Sequence, residues 1–211
     1  MLLDLSAFND QIIGVASVFC EFSLSFPTWY NVEKIKKVLS VFHPTVFENI
    51  KVSLENQIYD YDNLDGILVV TNRSDLLDLA LMSREFTLSF KLAGSSKVTS
   101  ELVLRSSVKD LSDEILEVPD SVPGCNLLLR FHLEIGDIST QCSAIEQILT
   151  GIWGPELTPV QSLSFPFGSN SGLYTCCVSL AFKRQINEEQ MDDLPDLLEF
   201  LLRSAEELEK V

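Results

Sequence analysis

The chain has 211 residues, 46% of them hydrophobic and 9% aromatic, and its 15 Lys and Arg are outnumbered by 31 Asp and Glu, for a formal charge of −16. This length supports one large domain or two small ones with a core that needs neither disulfides nor metal, and the aromatic and aliphatic content argues against intrinsic disorder. The acidic surplus repels phosphate backbones and anionic lipid, so neither direct nucleic-acid nor membrane binding is expected, and a basic protein partner is the natural complement.

Residues 1–20 are apolar, but Asp4 and Asp10 interrupt the run and no base precedes it, which argues against a signal peptide. No run of 18 apolar residues follows, so no transmembrane helix is expected. Phe22, Leu24 and Phe26 alternate with Ser23 and Ser25 as a strand. Trp29 and Tyr30 fall at a strand-to-helix turn, and Asn31 caps a helix carrying Ile35, Val38, Leu39 and Phe42, stopped by Pro44. Ile50, Val52 and Leu54 alternate as a second strand. Residues 60–66 read as an acidic turn, 67–70 as a buried strand and 74–82 as a short helix capped by Ser74. The acidic turn resembles the opening of a calcium loop, but Leu64 stands at the fifth position, Gly66 is one place late and Thr71 holds the twelfth, so solvated aspartates are the better reading.

Phe86, Leu88, Phe90 and Leu92 alternate, residues 93–97 turn, and Leu102 and Leu104 return, which predicts a β-hairpin. Residues 109–124, with five acids against one base and Pro119 and Pro123, read as a linker or surface loop. Leu127 to Ile135 alternate as a strand. Ser139 or Thr140 caps a helix with Ile145, Ile148, Leu149, Ile152 and Trp153 on one face, and Gly154-Pro155 stops it. Leu163, Phe165 and Phe167 alternate, residues 168–172 turn, and Tyr174 to Phe182 form the longest expected strand.

This order predicts an α+β fold: a mainly antiparallel sheet with helices on one face, built from two β-α-β-β-α halves as in a ferredoxin-like duplication, with the hairpin between them. The expected segments are 1–108, the linker 109–124, and 125–211, which can also pack together as one domain. Residues 187–211 hold nine acids and two bases on a helix whose Leu194, Leu197, Leu198, Leu201, Leu202, Ala205 and Leu208 follow helical spacing. Asp192 or Asp193 can cap that helix with Pro195 in its first turn, and Asn187 with Gln190 would make an earlier capping box. The leucines suit a core, and the late acids suit a solvated face or a basic partner.

Five cysteines, Cys20, Cys125, Cys142, Cys176 and Cys177, form no CxxC or zinc pattern, and Cys176 and Cys177 would point to opposite faces of a strand. Reduced thiols in the cytoplasm are expected. Only His43 and His132 are present, and no nucleophile motif or phosphate loop occurs. No catalytic residue, metal or cofactor is therefore expected. The expected function is a non-catalytic adaptor, chaperone or inhibitor engaging a basic protein, with a homo-oligomeric subunit or an enzyme of unrecognised type as alternatives. The candidate contact residues are the aromatics Trp29, Tyr30, Trp153, Phe165 and Phe167 and the acids Asp192, Asp193, Asp196, Glu199, Glu206 and Glu207.

Overall fold

A computed structural model describes residues 45–95, 97–168 and 172–211. The strand and helix expected between residues 22 and 42 lie outside them. The described residues form helix α1 (Val46–Asn63), strands β1 (Leu68–Asp78), β2 (Ser83–Leu92) and β3 (Thr99–Ser106), helix α2 (Val108–Ile115), strand β4 (Asn126–Ile135) and helix α3 (Ile138–Trp153). Strands β5 (Val160–Ser164) and β6 (Tyr174–Ala181) follow, then a 3-10 turn (Glu188–Asp193) and helix α4 (Leu194–Leu208).

The six strands make one antiparallel sheet in the order β1-β2-β3-β4-β6-β5. The α+β class, the antiparallel sheet and the helices on one face are as expected. The inward face carries Phe86, Leu88 and Phe90 of β2, Leu102 and Leu104 of β3, Leu127, Leu129, Phe131, Leu133 and Ile135 of β4, and Cys176, Val178 and Leu180 of β6, all buried. Each set follows the two-residue period of a strand with one face in the core. Helix α1 packs on β1 and β3, α4 on β2, β3 and α1, and α3 on α4. His132 and Cys177 lie on the opposite face, so Cys176 and Cys177 do point apart.

Several elements depart from the sequence reading. Residues 50–54 are helical, not a strand: Phe47, Ile50, Leu54 and Ile58 are buried at helical spacing, while Val52 is 47% exposed. The Thr45 hydroxyl caps this helix by accepting from the Glu48 N–H. A three-residue apolar alternation fits both periods, and the longer spacing decides between them. Helix α1 also absorbs Asp60 to Asn63, and the turn shrinks to the residues around Gly66, whose φ of 64° is left-handed. Residues 74–78 continue β1 rather than starting a helix, because β2 offers a partner along their whole length. The described part of segment 1–108 runs helix-strand-strand-strand, and the duplication of the two halves is not confirmed.

The expected linker contains α2, opened by a capping box in which Ser107 and Asp110 satisfy each other's backbone N–H groups. Helix α3 is capped by Asp137, which accepts from the N–H groups of Ser139 and Thr140. Hydroxyl bonds from Thr140 and Ser139 help hold the Asp137 carboxyl down at about 2. Strand β5 stops at Ser164, short of Phe165 and Phe167, and the longest strand is the 11-residue β1, not β6. At the C-terminal segment the earlier capping box forms, and of the other option the place of Pro195 holds but the aspartate cap does not. The Asn187–Gln190 capping box opens the 3-10 turn, and α4 then starts at Leu194 with Pro195 in its first turn and no side-chain bond from Asp193.

Candidate functional site

A groove of about 320 Å³ lies where the end of α3 meets the 3-10 turn and the start of α4. Its apolar wall is Ile152 and Trp153 from α3, Phe182 from the segment after β6, and Leu194, Leu197 and Phe200 from α4. Leu127 and Ile186 form the floor, and Arg184, Gln190, Asp193 and Asp196 the polar rim. Ile186 is held by a reciprocal backbone pair with Cys125 (2.7 and 2.9 Å). Gly124 permits that approach, since a Cβ there would come within 2.9 Å of Gln185 Cβ.

Trp153 organises the wall. Its ring meets Phe182 edge-on (centroids 5.8 Å apart) and Phe200 at a tilt (5.6 Å). Its Nε1–H donates to Ser204 Oγ at 2.9 Å, and the fully buried Ser204 hydroxyl donates in turn to the Phe200 carbonyl at 2.7 Å. The indole is therefore fixed in orientation while Phe200 stays 41% exposed. Asp193 and Asp196 sit at the start of α4, where the helix dipole favours negative charge, and Arg184 is the one cation among the lining residues.

Trp29 and Tyr30 lie outside the described residues. Trp153, Asp193 and Asp196 come together in the groove; Asp192 and Glu199 are exposed but do not line it. Glu206 is exposed in the last turn of α4, and Glu207 pairs there with Lys210 at 2.7 Å. Phe165 and Phe167 are exposed at the β5–β6 turn, beside the end of β4 marked by the Ile135–Tyr174 pair. The groove sits at the other end, where Phe182 N–H bonds to the Leu127 carbonyl. Phe200 and Phe182 were missed by the sequence reading. Phe200 falls just off the leucine stripe of α4, and an off-stripe aromatic on an amphipathic helix is the signal that could have found it.

A second concavity, of about 250 Å³, crosses β2, β3 and β4 at Arg84, Arg105 and Asn126. Both its arginines are engaged, Arg105 with Glu85 and Arg84 with Glu48 and Asp75. Asp75 and Glu48 also hold the buried Lys51 (2.9 and 2.6 Å). Burial works to raise both carboxyls, but the bonds from Arg84 and Lys51 outweigh it and leave them below their usual values. Arg84 also lies over the Phe47 ring, 4.7 Å from its centroid. This network fastens α1 to β1 and β2.

His132 and Cys177 are direct cross-strand partners, a juxtaposition absent from the sequence reading. His132 Nε2 is 3.6 Å from Glu101, which also accepts from Arg130 at 2.9 Å. These four groups share one face of the sheet, outside both concavities. Among the described residues no set of three or more His, Cys, Asp or Glu is gathered as a metal ion would require, and no helix is long and apolar enough to cross a membrane. No protein-family model, curated protein or solved structure matches the chain.

Proposed function

We propose that this protein is a non-catalytic binding module of the cytoplasm, an adaptor, chaperone or inhibitor, that seats an apolar side chain of a basic protein segment in the Trp153 groove. The observation behind this reading is the groove itself: a fixed indole and a half-exposed Phe200 rimmed by Asp193 and Asp196. Aromatic anchors in a polar rim are the usual carriers of binding energy. Residues 187–211, with nine acids and two bases, extend the negative field around the groove and favour a Lys- or Arg-rich partner.

A basic amphipathic peptide with a central Leu or Phe is the probe. In a Trp29→Phe background the fluorescence of Trp153, the other of the two tryptophans, reports on the groove directly. Binding should shift that emission and weaken at least several-fold as salt is raised. The Asp193→Asn/Asp196→Asn variant should bind the peptide more weakly and with a shallower salt dependence. Equal binding of a neutral analogue, indifferent to salt, would overturn the electrostatic part; no binding of either peptide would overturn the groove reading.

A second reading, a homo-oligomeric subunit, has its own observation. Strand β1 has no partner on its outer edge among the described residues, and Leu76, Leu77, Leu79, Leu81 and Met82 are exposed along its end and turn. Long apolar edges are pairing surfaces. Light scattering decides: a dimer abolished by Leu77→Lys/Leu79→Lys supports it, and a monomer at micromolar concentration sinks it.

A further inference from the structure

Cys142 lies on the core stripe of α3, one turn before Ile145 and two before Leu149. Cys176 lies on the inward face of β6, paired with Leu163 of β5. Gln161, also on β5, touches both: its Nε2 donates to the Cys142 carbonyl at 2.8 Å, and its Oε1 accepts from Cys176 Sγ at 3.9 Å. Cys142 is also close enough to bear on the Cys176 thiol, helping to push it up. Two cysteines from different elements are thus bridged by one amide, through the backbone carbonyl of Cys142 and the thiol of Cys176, and neither lines the groove.

We propose that Cys142 and Cys176 are a dithiol site that a small-molecule disulfide oxidises to an intramolecular disulfide, fastening α3 to the sheet. The two differ in access as such chemistry requires: Cys142 is half-buried and Cys176 wholly buried. The Cys142 thiolate attacks the oxidant, forms a mixed disulfide and releases one small thiol. Cys176, as its proton leaves, attacks Cys142 Sγ and expels the second small thiol. Two protein thiols are oxidised, one external disulfide is reduced to two thiols, and the two protein protons leave with them. Burial, with the neighbouring Cys142 and Cys177, pushes the Cys176 thiol up to about 11, so it attacks second. Cys125 takes no part: burial, aided by Asp110 and Glu114, pushes its thiol up to about 12, and it lies at the far end of the sheet beside Ile186. Cys177 points to the other face.

The test uses the full reduced chain and oxidised glutathione, followed by acid quench, alkylation and peptide mapping. A Cys142–Cys176 cross-linked peptide is expected, with a thermal midpoint raised by roughly 5 °C. Cys177→Ser should form the same cross-link, and Cys176→Ser should stop at a glutathione adduct on Cys142. A wild-type chain that keeps glutathione on Cys142 with Cys176 still alkylatable overturns the proposal. So does a dominant cross-link between any other pair, or no reaction at Cys142.

Discussion

At the scale of single residues, the ion network around Lys51 decides how α1 responds to acid. Asp75 and Glu48 titrate lower in the folded chain than in the unfolded one. Their contribution is complete above the unfolded value of about 4 and is lost as pH falls through the folded values. The thermal midpoint should therefore drop steeply below about pH 4. Asp75→Asn should flatten that drop and cost about 2–4 kcal/mol at neutral pH, because Lys51 and Arg84 lose a shared carboxylate in a largely buried place. Unfolding curves across pH for the two proteins check both. Ser100 gives the opposite case. Its hydroxyl is buried on the inward face with no hydrogen-bond partner, between Phe90 and Phe131 in the sheet register. Ser100→Ala should be neutral or stabilise by up to about 1 kcal/mol in a denaturant titration. Neither site was legible in the sequence. Lys51, Asp75 and Arg84 are spread over two strands and a helix, and only the β1–β2 register and the α1 docking bring them together.

At the scale of elements, α4 serves two surfaces. Leu198, Leu201, Ala205 and Leu208 are buried in the core, whereas Phe200 faces the groove. Leu201→Ala should cost about 3 kcal/mol of stability, as deletions in a packed core do, and Phe200→Ala about 1 kcal/mol or less while weakening peptide binding the more. Chemical denaturation beside the fluorescence titration separates the two effects. The leucine stripe, the β2–β3 hairpin, β4 and α3 were readable because each keeps one clear period over many residues. The misreadings fall where the pattern is short or ambiguous: Ile50, Val52 and Leu54 alternate over five residues, and Ser74 to Met82 have helix-compatible leucines, but β2 pairs with residues 74–78 as a strand and residues 79–82 turn. Trp153 was readable as a candidate because it closes a helical stripe. Its partners Phe182 and Ser204 arrive from distant segments, and no local pattern announces them.

At the scale of the whole molecule, charge sets the conditions under which the fold is most stable. A formal −16 on 211 residues makes the compact state repel itself. Raising salt from about 10 to about 150 mM should raise the thermal midpoint, since screening relieves repulsion over the surface more than it weakens the largely buried Lys51 network. A midpoint that falls with salt would mean that ion pairs, not repulsion, dominate the electrostatics. The same screening should loosen a basic ligand, so stability and affinity should move in opposite directions along one salt series.

The position of β6 between β4 and β5 carries a kinetic consequence. From β1 to β3 every ladder joins strands linked by a short turn, so that part of the sheet can zip locally, and β4 follows after the α2 segment. The β4–β6 ladder joins strands separated by α3 and β5, and it closes only after that excursion is made. Amides of the β2–β3 ladder should gain protection first in a pulse-labelling refolding experiment, and those of β6 later. The Trp153 groove, which needs β6 to deliver Phe182 and α4 to deliver Phe200, would be the last part of the molecule to exist.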